Sequence, residues 1–237
     1  MITIIPNYSN INFKHFRHDI VNKSGKVINR GDTCFFRQDL DFDYFINYME
    51  FKYCDKPKVN IIAHACSDGE EVYSLVSKMI DSLGLKPASK YLPIKAHDLE
   101  KEHIERAKKG RYNFERFEEQ SADIYLGPKF SDYFNYIYSH KIKVSPNLTK
   151  HVDFSQSNIL DDVKTIDFND TVLLARNCWH YLKDKDIINL AKNLSNRMNK
   201  SSLLVIGDYD KEYNIDKILR KYDFYETQVK NVFEKIK

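Results

Sequence analysis

The residues most able to do chemistry lie in one short segment, residues 64–75, which reads HACSDGEEVYSL. It follows an apolar run at residues 59–63, and apolar residues spaced three and four apart come after it. We therefore predict a strand, a tight turn at Gly69 and a helix. Such a turn directs backbone N–H groups towards the carboxyl end of the strand, where open α/β sheets bind ligands. Glu70 and Glu71 disfavour a phosphate and favour a cationic or hydroxyl-bearing ligand, unless they simply complement the helix dipole.

Two further segments are expected to meet this turn at the same edge of the sheet. Asp98 ends the next predicted strand, where a carboxylate can accept hydrogen bonds from both hydroxyls of a ribose. Its alternative role is to cap the helix that follows. Arg176 and Asn177 end a buried strand, and a charge there requires either a ligand or a structural ion pair. Tyr181 and the only tryptophan follow, where their rings can line a pocket.

The rest of the chain predicts alternating strands and helices. The strands are predicted near residues 58–64, 91–97, 151–155, 171–176 and 202–207, the helices near 70–84, 100–109, 184–198 and 213–222, and a final extended stretch near 224–234. This alternation implies right-handed crossovers and a mostly parallel sheet with helices on both faces. Residues 112–150 are irregular and aromatic, and we interpret them as an insertion with a short helix near 130–136 and a strand near 141–145.

Composition and missing motifs exclude several classes of function. The net charge of +3 is too small to indicate a nucleic-acid partner or an anionic membrane surface. No apolar run is long enough to span a membrane and no leader-like segment is present, so a cytoplasmic location without membrane insertion is expected. The four cysteines lack paired spacing and the eight histidines are scattered, so no metal site is predicted. The glycine-rich fingerprints of NAD-binding and P-loop proteins are absent.

A series of motifs, taken together, resembles the chemotaxis receptor methyltransferases, the CheR-type protein-glutamate O-methyltransferases. The motifs are TCFFR at residues 33–37, ACSDGEEVYS at 65–74, AHDLE at 96–100, ERAKKGRY at 105–112, VDF with NIL at 152–160, and ARN with YL at 175–182. The family patterns are T-x-F-F-R, A-C-S-T-G-E-E-P-Y-S, A-x-D-I-D, E-K-A-R-x-G-x-Y, V-x-F-x-x-x-N-L-L and C-R-N-x-x-x-Y-F. They occur here in the family's order.

The resemblance implies an α/β fold of the Rossmann-like class I methyltransferases. The expected core is a mostly parallel seven-stranded sheet with helices on both faces. A short N-terminal helical arm is expected at residues 1–50. The domain that binds S-adenosylmethionine would then cover residues 51–237 and include a small inserted subdomain at about 112–150.

The resemblance also implies roles for individual residues. Thr33 and Arg37 would contact the methionine end of the cofactor, Glu71 its ammonium group and Asp98 its ribose. The remaining cofactor contacts would come from Asn158, Ile159, Ala175 and Arg176. The catalytic set would be Arg37, Arg176 and Tyr181, which would face a substrate carboxylate beside the sulfonium methyl group.

The function that follows is methyl transfer from S-adenosylmethionine to a carboxylate, leaving S-adenosylhomocysteine. The expected acceptor is a protein glutamate, such as one on a chemoreceptor cytoplasmic helix. Few residues precede Thr33, Gly31 stands at a family asparagine, and residues 207–210 depart from the family's G-H-S-E. Two alternatives therefore stay open: a non-catalytic module that binds S-adenosylmethionine or S-adenosylhomocysteine, and a methyltransferase for small carboxylic acids.

Overall fold

The computed structural model describes residues 20–21, 27–28 and 33–236. The first four of these form a short antiparallel pair, Ile20–Val21 with Val27–Ile28, where a helical arm was predicted. The rest of the predicted arm up to Asp32 lies outside the described residues. From Thr33 onward the chain forms one compact unit, and the predicted arm boundary near residue 50 stays a prediction.

The described residues form the following elements in chain order. The strands are β1 (Ile20–Val21), β2 (Val27–Ile28), β3 (Asn60–His64), β4 (Ile94–Asp98), β5 (Arg111–Asn113), β6 (Phe134–Tyr138), β7 (Lys141–Val144), β8 (Val152–Gln156), β9 (Thr171–Leu174), β10 (Leu203–Val205), β11 (Phe224–Glu226) and β12 (Val232–Lys235). The helices are α1 (Phe42–Lys52), α2 (Glu70–Leu83), α3 (Leu85–Ala88), α4 (Lys101–Lys109), α5 (Arg116–Tyr125), α6 (Phe130–Tyr133), α7 (Pro146–Thr149), α8 (Ile159–Asp162), α9 (Asp184–Arg197), α10 (Asp208–Glu212) and α11 (Ile215–Arg220).

The main sheet has seven strands in the order β11-β12-β10-β9-β3-β4-β8. The five strands from β10 to β8 are parallel, and β12 is antiparallel to both of its neighbours. The predicted mostly parallel, seven-stranded sheet is confirmed. The final extended stretch of the prediction is two antiparallel strands, because the chain turns back on itself between Glu226 and Val232.

Helices cover both faces of this sheet, as its central strands require. Successive side chains of a strand point to opposite faces. Ile61 and Ala63 of β3 belong to the hydrophobic cluster that includes α2, whereas Ile62 belongs to the cluster that includes α9. All four residues of β9 are buried, which explains its continuous apolar sequence.

A second, three-stranded antiparallel sheet has the order β5-β7-β6 and falls within the segment interpreted as an insertion. The predicted helix near residues 130–136 is wrong in its second half, because Phe134–Tyr138 pairs with β7 as a strand. Helix α5 was not predicted. Helix α8 was not predicted either, and its first turn is capped by Asn158.

The length and polarity of the helices also bear on membrane association. Within the described part of the chain, no helix is both long enough and apolar enough to span a bilayer.

Candidate active site

The turn between β3 and α2 approaches neighbouring side chains so closely that a residue larger than glycine would be strained there. Gly69 has a φ of +93°, in the left-handed region that favours glycine. A Cβ atom there would lie 3.0 Å from Cζ of Phe154 and 3.1 Å from Cβ of Ala107. Ala65 and Ser67 also have positive φ values of 54° and 50°. This backbone is therefore held in a sharply curved shape at the carboxyl end of β3.

The two acids that begin α2 have different surroundings. Burial, reinforced by the negative charge of Asp68, raises the pKa of Glu70 to about 8, so Glu70 is largely protonated at neutral pH. Its Oε2 atom is buried and has no hydrogen-bond partner within the described part of the chain. Glu71 instead lies 2.8 Å from Nη1 of Arg176. Only Glu71 can serve as the anion that both residues were expected to provide.

Asp98 lies at the end of β4 and ties the turn to that strand. Its Oδ2 atom accepts a hydrogen bond from the backbone N–H of Ser67 at 2.8 Å, and its Oδ1 atom accepts one from Glu100 at 2.9 Å. The N-cap of α4 is Glu100, so the alternative role of Asp98 as the helix cap is wrong. The carboxylate is held in a fixed orientation at the edge where a ribose was predicted.

Four charged residues meet in a group that we call the arginine cluster: Arg37, Asp39, Glu71 and Arg176. Arg176 contacts Asp39 through Nη2 and Glu71 through Nη1, and its side chain is 1% exposed. Burial by itself would lower the pKa of Arg176, but the two carboxylates outweigh this effect and raise it. The guanidinium is therefore charged and fully enclosed by the protein.

Arg37 adds a second cation to this cluster. Burial opposes its charge, but the Cys34 thiol and the carboxylates of Asp39 and Glu71 raise its pKa. Asp39 has the reverse balance, because Arg176 and Arg37 overcome its burial and lower its pKa. The structure thus brings together three predicted site residues, Arg37, Glu71 and Arg176, and adds Asp39, which the sequence analysis missed.

The loop after β9 is held by a buried carboxylate that the sequence analysis also missed. Asp210 is fully buried and accepts hydrogen bonds from the backbone N–H groups of Asn177, Trp179 and Gly207, at 2.7, 3.1 and 2.9 Å. Asn177 also donates to Asp39 at 3.1 Å. A signal was available in Gly207-Asp208-Tyr209-Asp210, where an acid three residues after the N-cap accepts a hydrogen bond from the N-cap backbone N–H.

The other predicted site residues occupy different parts of the same edge. Asn158 caps α8 by accepting a hydrogen bond from Leu160 at 3.0 Å, and Ile159 is half-buried beside it. Ala175 is fully buried and accepts a hydrogen bond from the Trp179 indole at 2.9 Å. Thr33 is half-buried at the start of the compact unit. Tyr181 is 49% exposed, with its ring 3.9 Å from that of His180.

Helix α4 contributes His103 and Arg106, which contact Asp68 of the turn, and the sequence did not reveal these contacts. Asp68 accepts hydrogen bonds from Nε of Arg106 at 2.9 and 2.8 Å and lies 2.5 Å from Nδ1 of His103. Burial opposes the charge of Asp68, but these two partners lower its pKa. His103 and Arg106 are three residues apart, so the sequence places them on one face of the helix. That Asp68 lies opposite this face depends on how α4 packs, which the sequence does not show.

Two histidines and an aspartate also meet at this edge. His64 ends β3, and its register partner His97 lies on β4. Both approach Asp162 of α8, with Nε2 of His64 at 3.3 Å and Nδ1 of His97 at 3.2 Å from Oδ2. We call these three residues the histidine cluster. These residues are far apart in the sequence but adjacent in the structure.

The side chains at this edge fit the chemistry of S-adenosylmethionine. The compound carries an ammonium, a diol and a carboxylate, and Glu71, Asp98 and the two arginines are their chemical complements. Nε of Arg176 is buried and has no hydrogen-bond partner among the residues described. Such a donor suits an anionic group, because a buried polar atom without a partner is costly.

The fold and this constellation define a Rossmann-like domain of the class I methyltransferase type. The family model for the CheR methyltransferase, SAM binding domain, matches residues 31–227. The chain belongs to this family. The predicted resemblance is thereby confirmed, and so is S-adenosylmethionine as the cofactor that the family binds.

The sequence identity to an individual relative is low. The chain is 26% identical over 186 residues to the "Chemotaxis protein methyltransferase" of Borreliella burgdorferi, a match that covers 76% of this chain and 64% of the relative. It therefore spans less than two thirds of that relative's length.

Two solved structures also show similarity. The magnesium protoporphyrin IX methyltransferase of Synechocystis is 11% identical with a TM-score of 0.41, covering 81% of this chain and 74% of the other. A TehB-like SAM-dependent methyltransferase of Corynebacterium glutamicum is 10% identical with a TM-score of 0.40, covering 79% and 86%.

Proposed function

We propose that this chain transfers a methyl group from S-adenosylmethionine to a side-chain carboxylate of a protein, with glutamate as the acceptor. The chain's family and its chemotaxis relative support this assignment. The observation that carries it is the arginine cluster, which holds two cationic side chains beside the turn at Gly69. A chemoreceptor cytoplasmic helix is the partner that this relative's name suggests.

The cofactor contacts form part of the same proposal. Glu71 would hold the ammonium group, Asp98 the ribose hydroxyls, and Asn158 with Ile159 the adenine. Thr33, Arg37, Ala175 and Arg176 would line the remainder of the pocket. Support comes from Asp98, whose orientation is fixed by two backbone N–H groups, and from Ser157, whose N–H donates to the Asp98 carbonyl at 2.9 Å and so places Asn158 nearby.

The residues of the chain would act mainly by orienting the acceptor. A glutamate is already ionised at neutral pH, so no general base is required. Arg37 and Arg176 would bind the acceptor carboxylate in a fixed register, and Tyr181 would pack against it or donate a hydrogen bond. Because these arginines are largely removed from water, their attraction for a carboxylate is stronger than at the surface. S-adenosylmethionine, when bound, supplies an electrophilic methyl group on a positively charged sulfur.

A protein acceptor is favoured over a small molecule by the surface of the three-stranded sheet. Its strand β6 lies at one side of that sheet and exposes Tyr136, Ile137 and Tyr138, at 54%, 46% and 61%. Exposed apolar side chains in a row are typical of a surface that contacts another macromolecule.

One observation favours a second candidate, a non-catalytic module that binds the cofactor or its product. Arg176 is enclosed and paired with Asp39 and Glu71. If these pairs persist when the cofactor binds, Arg176 has only a structural role and cannot hold an acceptor.

The test is to incubate the full chain with cofactor labelled in its methyl group and a chemoreceptor cytoplasmic fragment. We expect label on the receptor that is released as methanol by mild base, which is diagnostic of a methyl ester. Label on a small carboxylic acid, with none on protein, would replace the proposed acceptor. Cofactor binding without turnover on any substrate would support the module.

A variant pair addresses the role of Arg37. Arg37→Lys keeps the charge but loses the paired geometry of a guanidinium, so turnover should fall roughly 10- to 100-fold, the equivalent of a lost charge-assisted hydrogen bond. The control is Arg220→Lys, on the exposed face of α11, which should leave turnover unchanged. Equal turnover in the two variants would remove Arg37 from the catalytic set.

A further inference from the structure

The histidine cluster has the ligand types and spacing of a metal site. The nitrogen and oxygen atoms that it offers all lie within 4.8 Å of one another. Zinc bonds of about 2.0–2.2 Å in a tetrahedral arrangement place neighbouring ligand atoms roughly 3.3–3.5 Å apart. The separations of 3.3 Å from His64 and 3.2 Å from His97 to Asp162 agree with this spacing.

The cluster is held by the fold. His64 is 4% exposed, and the two histidines occupy opposite register positions on adjacent parallel strands, with ring centroids 4.9 Å apart. Asp162 lies on α8, which is anchored at its first turn by the Asn158 cap. Three separate elements therefore direct one ligand atom each at a common point.

Two of these ligand atoms lack the partners that burial normally demands. Nδ1 of His97 and Oδ2 of Asp162 are buried, and neither makes a hydrogen bond with any described residue, although they lie 3.2 Å apart. A close approach without hydrogen-bond geometry is expected of two atoms that share a cation.

We propose that His64, His97 and Asp162 bind a divalent transition-metal ion of the zinc class. Two imidazoles and one carboxylate leave a fourth position for water or another ligand. The ion would link α8 to the carboxyl ends of β3 and β4. None of its ligands belongs to the predicted cofactor or catalytic sets, although His97 directly precedes Asp98 and Asp162 lies on the helix that Asn158 caps.

The site is tested with the full chain after treatment with a chelator. Titration with Co²⁺ should give the visible absorption of a tetrahedral ion that saturates at one equivalent, and Zn²⁺ should displace it. Zn²⁺ should also raise the melting temperature, because it binds only the folded state. Absence of saturable binding would overturn the proposal.

Variants identify the ligands. His97→Gln and Asp162→Asn should each weaken Co²⁺ binding more than about 100-fold, since even the outer partners of metal ligands are worth about 10- to 100-fold. His140→Gln, at an exposed histidine, and Cys54→Ser, at the exposed thiol, should bind as the wild type does. Undiminished binding in His97→Gln, or its loss in either control, would contradict the assignment.

A measurement on the wild type keeps the test decisive if a variant fails to fold. X-ray absorption of the Zn²⁺-loaded protein should show two imidazole ligands and only nitrogen and oxygen in the first shell. Sulfur in that shell would place the ion on a cysteine and refute the site.

Discussion

The arginine cluster and the histidine cluster lie at the same edge of the main sheet but are built from opposite kinds of side chain. The arginine cluster consists of permanent charges gathered from distant parts of the chain, with Asp39 separated from Arg176 by 137 positions. The histidine cluster contains an imidazole that burial keeps neutral, held on adjacent strands. The first pairs two carboxylates with two guanidinium groups, and the second places two imidazoles beside a single carboxylate.

Because of this difference, substitutions in the two clusters should lower the stability of the fold by different amounts. A buried ion pair contributes little net stability, but loss of one partner leaves an uncompensated charge and is costly. Replacing a histidine of the second cluster removes no permanent charge, so it should destabilise the fold less. Substitutions in the arginine cluster should therefore affect the stability of the fold more strongly than those in the histidine cluster.

The largest effect is expected for Asp39. Asp39→Ala removes one of the two carboxylates paired with Arg176 and an acceptor for Asn177, so the free energy of unfolding should fall by about 3–5 kcal/mol. Urea denaturation measures the change, with the exposed Asp153→Ala as the control. A loss smaller than about 1 kcal/mol, similar to that expected for an exposed pair, would show that the arginine cluster is not more sensitive than the histidine cluster.

A smaller loss of stability is expected for Asp210, which accepts hydrogen bonds from the loop after β9. Asp210→Asn exchanges an acceptor oxygen for an N–H₂ group that faces backbone donors, which should lower the free energy of unfolding by about 1–3 kcal/mol. The matched control is Asp123→Asn, at an exposed position of α5. If the two variants are equally stable, Asp210 does not anchor the loop.

The smallest expected effect is on how the free energy of unfolding depends on pH. The pKa of His103 is raised, whereas that of His64 is lowered. Burial opposes protonation of both, but the hydrogen bond and charge of Asp68 raise the pKa of His103. The protonated form therefore stabilises the fold fully below the ordinary histidine pKa of about 6.5, and this contribution is lost as pH rises through the raised pKa. Asp68, whose pKa is lowered, contributes above about 3.9 and loses its effect as pH falls through the lowered pKa.

The measurement for this effect is the free energy of unfolding from pH 5 to 9, at intervals of about one unit. We expect a decrease of up to ~1 kcal/mol across the upper part of this range that is absent in His103→Gln and retained in His140→Gln. An unchanged pH profile in His103→Gln would show that the ion pair with Asp68 does not form.

The sequence predicted the main sheet well because its elements carry strong local signals. The apolar run that becomes β9 is buried at every position, and the helix predicted at residues 70–84 is α2, Glu70–Leu83. Helix α4 ends before Gly110, whose φ of +57° suits a residue without a Cβ atom. By contrast, Phe134–Tyr138 becomes a strand only through pairing with β7, which local periodicity does not reveal.

The site was predicted in part through the resemblance to the CheR-type family. That resemblance implied roles for Arg37, Glu71 and Arg176, and the structure brings these residues together. Asp39 and Asp210 were missed because their partners are distant in sequence and depend on tertiary packing. The raised pKa of Glu70 follows from its burial in the folded protein, which the sequence does not reveal.

Calorimetric titration with S-adenosylhomocysteine tests most directly whether this edge of the sheet binds the cofactor. The wild type should bind one equivalent. Asp98→Ala should bind more weakly by ~1.5–3 kcal/mol, the cost of losing charge-assisted hydrogen bonds, while Asp153→Ala should match the wild type. Absence of binding by the wild type, or equal affinity in a folded Asp98→Ala variant, would contradict the account.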